Sequence, residues 1–299
     1  MGPRDGLQNE PDAVPTPEKV ELIRRLARAG LRRIEVGSFV SPKWIPQLAD
    51  AEAVAAALPE LPGVVPSALV PNLQGYERMR RAGSIAVAAV FVSASESHNR
   101  KNLNCGIAEQ LERIRPVAER AAADGVGLRA YVSTVCGCPY EGEVRLGAVV
   151  DLTRRLFALG ASEVSLGDTI GVGHPAQVRA LVRAVAGEAP LARIALHLHD
   201  TWGRALANVQ AGYEAGVRCF DASVGGLGGC PYAPGASGNV ATEDVVDLFE
   251  RAGVRTGIDL DALVDTARWL EQQVLRRPLT GRVYRARLGE RQRAEEGAA

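Results

Sequence analysis

The sequence predicts a single (β/α)₈ barrel of the TIM type, with a truncated first strand and a helical extension at its C-terminus. Short apolar runs of β type alternate with helical patterns along the whole chain, which is typical of a parallel sheet. No composition break or linker divides the 299 residues, and barrels of this size form one domain. Seven strands are clear, and the first residues resemble the end of an eighth.

The predicted strands and helices follow one another in order. The clear strands are at residues 33–36, 64–70, 85–93, 127–135, 163–167, 193–199 and 219–224. Helical periodicity predicts helices at residues 17–29, 49–57, 73–82, 107–123, 146–159, 176–186, 204–215, 240–252 and 260–276. Thr16, before Pro17, is the expected N-cap of the first helix. Glycines expected to end helices are Gly30, Gly83, Gly125, Gly160 and Gly216.

The first strand is expected to be a stub. Only residues 1–3 precede Arg4, and Pro3 has no N–H to donate to a strand ladder. Unpaired backbone groups inside a barrel wall are costly, so we expect the natural chain to begin several residues upstream. The alternative is that the short strand suffices, because a metal holds Asp5 in place and Glu35 holds Arg4.

The domain prediction is one barrel, residues 1–275, followed by an Arg-rich tail, residues 276–299. The competing fold is a doubly wound open sheet. That fold needs a glycine-rich phosphate loop after its first strand, and residues 2–6 do not form one.

Composition excludes several classes of protein. Lys and Arg together number 35, and so do Asp and Glu; zero net charge argues against a general nucleic-acid binder. No apolar run approaches the length that crosses a membrane, and the N-terminus lacks the apolar stretch of a signal peptide. Five cysteines in a chain of this length do not make a disulfide framework. We therefore expect a reduced, cytoplasmic protein with no nucleic-acid or membrane partner.

A barrel places its chemistry at the carboxyl ends of its strands. Polar residues are concentrated at those ends: Arg4, Asp5, Glu35, Ser38, Asn72, Ser93, Glu96, Tyr131, Ser133, Ser165, Asp168, His197, His199 and Asp200. We expect a catalytic site there.

His197 and His199 end the seventh of the eight expected strands. Residues two apart on a strand share a face, so both imidazoles point into the barrel mouth, where they can bind one divalent ion. The alternative is a pair of hydrogen-bonded core histidines.

Asp5 is the expected third ligand, since the first and seventh strands lie near each other in a closed barrel, and Asn239 could add an amide oxygen. Two oxygen and two nitrogen ligands with open positions suit Mg²⁺ or Mn²⁺ better than a structural zinc. Asp5 could instead be a turn residue before Gly6, and Asn239 could be an N-cap.

Cys230 lies in a segment with six glycines between Gly225 and Gly238, a composition that favours a lid. A partly exposed cysteine near a cation can titrate usefully. It could instead be a small apolar turn residue. Cys136 and Cys138, with no second pair, are predicted to be thiols rather than a zinc site.

Acidic residues near the predicted site have two interpretations. Glu35 interrupts an apolar run, so it must be paired, and Arg4 is the expected partner. That pair could be purely structural. Asp168 and Glu243 could likewise be acids at the starts of helices.

Several segments that carry these residues resemble 3-hydroxy-3-methylglutaryl-CoA (HMG-CoA) lyases of the DRE-TIM metallolyase superfamily, in their bacterial form. The segments are residues 2–10, 38–44, 137–142, 165–171, 197–200, 226–233 and 235–239, so the resemblance covers nearly the whole chain. The Gly-Gly-Cys-Pro-Tyr segment, residues 228–232, is specific to the lyases, whereas the superfamily's Claisen-type synthases share the Arg-Asp and His-x-His elements.

The resemblance implies a metal-dependent barrel that cleaves HMG-CoA to acetyl-CoA and acetoacetate, in leucine degradation and ketone body formation. It implies Mg²⁺ or Mn²⁺, an acyl-CoA substrate and a homodimer. Metal ligands are implied at Asp5, His197, His199 and Asn239. Catalytic roles are implied for Arg4, Asp5, His197 and Cys230. The expected substrate-binding residues are Arg4, Gln8, Glu35, Ser38, Tyr131, Ser165, Asp168 and Glu243.

Three alternative functions compete. The first is a related lyase that acts on another 3-hydroxyacyl-CoA. The second is a Claisen-type acyl transferase of the same superfamily, which would lack the Gly-Gly-Cys segment. The third is a non-catalytic metal-binding barrel, which would tolerate the loss of Arg4 or Cys230.

Overall fold

The computed structural model describes residues 1–83, 85–229 and 238–297. Seven parallel strands pair in chain order and form a sheet curled into most of a barrel, which confirms the predicted fold class. The strands are β1 (Arg33–Ser38), β2 (Val65–Leu69), β3 (Val87–Ser93), β4 (Gly127–Ser133), β5 (Glu163–Asp168), β6 (Ile194–Leu198) and β7 (Cys219–Asp221).

Helices follow the strands and cover the outside of the sheet. They are α1 (Thr16–Arg28), α2 (Ala51–Ala56), α3 (Leu73–Ala82), α4 (Glu96–Leu103), α5 (Ile107–Ala123), α6 (Leu146–Ala158), α7 (Pro175–Val185), α8 (Ala205–Glu214), α9 (Thr242–Arg251), α10 (Leu260–Trp269) and α11 (Arg282–Gly297). The five predicted helix-ending glycines all have positive φ, between 66° and 156°. Thr16 is not the cap of α1: its hydroxyl donates to Asp50, and Pro15 precedes the helix.

The prediction that the first residues form a strand is wrong. Residues Gly2–Gly6 form a short helical turn, in which the carbonyl of Met1 accepts from the N–H of Arg4 and of Gly6, both at 3.2 Å. The α-amino group of Met1 donates to the carbonyl of Ala222, just after β7, at 3.1 Å. The turn also packs against β1, so it lies between the two edges of the curled sheet.

Side chains alternate between the two faces of each strand, so the sheet has an apolar face toward the helices and a polar face toward the barrel interior. Leu196 and Leu198 of β6 are buried on the helix side, as predicted. The opposite face points into the barrel and is strongly polar. In adjacent strands it carries Arg129 beside Glu163, Tyr131 beside Ser165, and His197 beside Asp221. The interior of the barrel is therefore a stack of charged and hydrogen-bonded pairs beneath the predicted site.

The predicted tail contributes to the same core as the barrel. Leu279 and Tyr284 are buried, and both carboxylate oxygens of Asp244 accept N–H groups at the start of α11. The boundary at residue 275 stays a prediction. In the part of the chain that the structure describes, no helix is long and apolar enough to cross a membrane.

Candidate active site

The end of β6 and the Gly2–Gly6 turn bring three predicted ligands together. The Nε2 atoms of His197 and His199 lie 3.1 Å apart. Asp5 Oδ2 lies 3.9 Å from His197 Nε2. One ligand atom from each of the three residues falls within 4.8 Å of the others. The carboxylate comes from the turn between the two edges of the curled sheet, and the imidazoles come from the end of β6, so the fold builds the cluster.

This donor set fits a divalent ion. Two adjacent ligands about 2.1 Å from one ion lie about 3 Å apart, close to the separation of the two imidazole nitrogens. Asn239 Nδ2 donates to Asp5 Oδ2 at 2.6 Å and to the carbonyl of Leu227 at 3.1 Å. Its Oδ1 is buried without a hydrogen-bond partner. An unpaired buried amide oxygen beside a carboxylate and two imidazoles is a group that a bound cation would satisfy.

The protonation states of the cluster also favour metal binding, because metal ligands must give up their protons. Burial opposes the charge on Asp5, but Arg4 and His197 outweigh it and hold the pKa of this carboxyl well below its usual range. Burial, and then the neighbouring His197, lower the pKa of His199 to about 4. At neutral pH the site therefore offers a carboxylate and a neutral imidazole.

Arg4 connects the ligand cluster to the barrel interior. It is buried, and its guanidinium donates to Asp5 Oδ1 at 2.6 Å and, through Nε, to Glu35. The Tyr131 hydroxyl donates to the other oxygen of Glu35 at 3.1 Å. Burial opposes the charge on Arg4, but Glu35 and Asp5 raise its pKa above its usual value. Arg4 is thus a fixed cation beside the predicted metal position.

The other residues predicted to bind substrate have separate contacts of their own. Ser165 is buried, and its hydroxyl donates to Asp221 at 2.8 Å. Ser38 is buried and accepts from the N–H of Val40 at 3.4 Å. Asp168 accepts from the N–H groups that follow β5, and burial raises its pKa to about 6. Gln8 is half-buried just after the first turn.

The predicted thiols fit their assignment. Cys136 and Cys138 are free and buried, and Cys138 Sγ donates to Ser95 Oγ at 3.0 Å. Burial raises the pKa of Cys136, so it is an inert thiol. Cys230, predicted to be catalytic, lies outside the described residues.

Glu243 lies at the base of the glycine-rich segment. Both of its carboxylate oxygens accept from the N–H of Gly225 at 3.0 Å. Gly225 has a φ of 69°, which favours glycine at this turn. Burial raises the pKa of Glu243 from the usual 4.5 to about 8. At neutral pH this carboxyl group is therefore mostly protonated.

We expect Glu243→Gln to flatten the dependence of stability on pH. In the unfolded chain Glu243 ionises near pH 4.5, and in the folded protein near 8. Between those values the folded state holds a proton that the unfolded state has lost, so stability falls as pH rises. Glutamine removes this linkage but keeps an oxygen for Gly225. Urea denaturation from pH 5 to pH 8 measures it, and an unchanged slope would contradict the prediction.

Three interior residues were not predicted for the site. Arg129 donates to Glu163 at 2.6 Å, to the hydroxyl of Tyr131 at 2.6 Å and to both oxygens of Asp221 at 2.9 and 3.1 Å. Asp221 Oδ2 in turn lies 3.4 Å from His197 Nδ1. A signal was present in the sequence: Arg129, Glu163 and Asp221 are charged residues inside predicted strands, the same observation that identified Glu35.

Comparisons with known proteins cover most of the chain. A family model described as HMGL-like matches residues 1–270. A hydroxymethylglutaryl-CoA lyase of Pseudomonas mevalonii is 52% identical over 88% of this chain and 87% of its own. A Pseudomonas aeruginosa protein named 3-hydroxy-3-isohexenylglutaryl-CoA/hydroxy-methylglutaryl-CoA lyase is 51% identical over 89% of this chain and 88% of its own. The crystal structure of the HMG-CoA lyase of Bacillus subtilis has a TM-score of 0.93 and 48% identity, covering 95% of each chain.

Proposed function

The chain belongs to the HMGL-like family, and from this premise we propose that it cleaves HMG-CoA to acetyl-CoA and acetoacetate. The observation that carries the proposal is the convergence of Asp5, His197 and His199 beside the buried Arg4. Relatives named as HMG-CoA lyases are about half identical to it over most of its length. This supports a lyase rather than a non-catalytic metal-binding barrel.

Asp5, His197, His199 and Asn239 would hold Mg²⁺ or Mn²⁺, which when bound supplies Lewis acidity to the tertiary hydroxyl of the substrate. Asp5 accepts the hydroxyl proton as the carbon–carbon bond breaks. Arg4 donates to the thioester oxygen on which enolate charge develops, and its position is fixed before the reaction by Glu35 and Asp5. Cys230 is proposed from its sequence context to protonate the departing acetyl-CoA carbon.

The test is product analysis with the purified protein. HMG-CoA and Mg²⁺ should yield acetyl-CoA and acetoacetate in equal amounts, and excess chelator should stop the reaction. Undiminished activity in chelator would refute the metal-dependent mechanism. Absence of cleavage with metal present would refute the lyase assignment.

A second candidate substrate class is a 3-hydroxy-3-alkylglutaryl-CoA with a longer side chain. The name of the Pseudomonas aeruginosa relative, at 51% identity, includes both such a substrate and HMG-CoA. Turnover of a series of such thioesters, followed as loss of substrate, distinguishes the two. A higher kcat/KM for a longer side chain would assign this chain to the second class. A homodimer and a cytoplasmic location stay predictions from the sequence.

A further inference from the structure

The carboxylate of Asp221 faces the Nδ1 side of the His197 ring, and the proposed function gives it no role. Asp221 of β7 is the register partner of His197 of β6, and both side chains point into the barrel. Asp221 Oδ2 is 3.4 Å from His197 Nδ1. That distance is long for a hydrogen bond, but among the described residues this buried nitrogen has no better partner, and such contacts often shorten when a site binds its ligand.

Asp221 is firmly held in its charged form. Arg129 Nη2 donates to both of its oxygens, and Ser165 Oγ donates to Oδ2 at 2.8 Å. The residue is therefore an ionised, immobile acceptor facing one ring nitrogen of a predicted metal ligand.

The hydrogen bonds of Arg129 also lead to another predicted metal ligand, Asp5. Arg129 Nη1 donates to the Tyr131 hydroxyl, and that hydroxyl donates to Glu35. Glu35 accepts from Arg4, which donates to Asp5. His197 and Asp5 are thus joined beneath the site by an unbroken series of buried contacts. His199 differs: its Nδ1 is also buried without a hydrogen-bond partner, but among the described residues no carboxylate faces it as Asp221 faces the Nδ1 of His197.

We propose that Asp221, held by Arg129, is a positioning residue that keeps the Nδ1 of His197 protonated and so directs the Nε2 lone pair at the metal. The inference rests on the metal site of the proposed function. A carboxylate behind a ligating histidine fixes its tautomer and ring orientation and raises its basicity as a ligand. An amide in place of such a carboxylate can present an N–H and select the wrong tautomer.

The variant that tests this is Asp221→Asn. We expect roughly 10- to 100-fold weaker Mn²⁺ binding by calorimetry, the usual effect of losing a group that orients a metal ligand. In the metal-free protein, ¹⁵N NMR should show His197 moving from the Nδ1-protonated tautomer towards the other. Only four histidines are present, so the signals can be assigned by substitution.

The matched control is Glu163→Gln. Glu163 is a buried carboxylate bonded to the same Arg129, and its second partner is Arg33, an exposed residue at the start of β1. We expect this variant to lose stability but to keep the wild-type tautomer, with Mn²⁺ affinity within about twofold of wild type. Equal effects of the two substitutions would mean that the network is only structural, and would overturn the inference.

Three further outcomes keep the test decisive. If Asp221→Asn does not fold, Ser165→Ala removes one of the groups that hold Asp221; it should weaken Mn²⁺ binding several-fold, and unchanged binding would overturn the inference. If wild type itself binds no Mn²⁺, the proposed metal-dependent function fails. If wild type binds and Asp221→Asn matches it in affinity and tautomer, only the positioning role fails.

Discussion

Replacing His199 with alanine is expected to remove metal binding and catalysis together while the barrel stays folded. The Nε2 of His199 is one of two imidazole nitrogens 3.1 Å apart, so its loss removes one side of the donor set. Burial and His197 hold the pKa of His199 at about 4, so no charge is lost and no partner is left as an unpaired ion. The effect on Mn²⁺ affinity should exceed about 100-fold, the upper end for loss of a group that only orients a ligand.

His174→Ala is the matched control for that experiment. His174 accepts from the N–H of Gln177 at 3.3 Å and caps α7. Its loss should cost about 1 kcal/mol, as for other N-caps, and should leave kcat and Mn²⁺ affinity unchanged. Calorimetry with Mn²⁺ and HMG-CoA cleavage assays give both readouts. A His199→Ala protein that binds Mn²⁺ like wild type would exclude His199 as a ligand.

The strands were predictable because buried parallel strands are short, apolar and bounded by glycines, and β5 and β6 match their predicted positions within a residue. The helix α4 was missed for a physical reason. Its sequence is polar up to its last residue, Leu103, and it buries only His98 and Asn99, so it has no apolar periodicity. The Gly2–Gly6 turn was predicted as a strand because seven clear strands left one place in an eight-stranded barrel, and residues 2–6 stood where that strand would end.

The ligand cluster was predictable because His197 and His199 are two apart at the end of a strand, so strand geometry alone places them together. The network of charged residues beneath the cluster was not predictable, because its contacts join residues that are far apart in the chain. Arg129 and Asp221 are separated by 92 positions. Only the register between neighbouring strands shows that Asp221 lies beside His197.

Replacing Arg4 with methionine is expected to lower both turnover and stability by large amounts. Turnover should fall roughly 10²- to 10³-fold, as when a preorganised donor to a developing oxyanion is removed. Arg4 also neutralises two carboxylates, Glu35 and Asp5, on the buried side of the site. Removing one partner of a buried ion pair costs about 3–5 kcal/mol, since a buried charge is left uncompensated. Urea denaturation and kcat measure the two effects.

Two further variants separate the roles of Arg4. Arg4→Lys restores the charge but not the planar fork that contacts both acids, so we expect it to recover stability but not turnover. Lys19→Met removes another buried cation, one that lies in α1 and is paired with Asp50. It should destabilise the protein and leave kcat and Mn²⁺ affinity unchanged.

The destabilisation by Arg4→Met should depend on pH in a defined direction. A buried carboxylate without its cation is relieved when it takes up a proton. The variant in its folded state therefore holds more protons than wild type does, and its deficit in free energy of unfolding should grow as pH rises. We expect a smaller deficit at pH 5 than at pH 8. A deficit that is the same at both pH values would contradict a role for Arg4 in neutralising the two carboxylates, and turnover restored in Arg4→Lys would contradict a role for its planar fork.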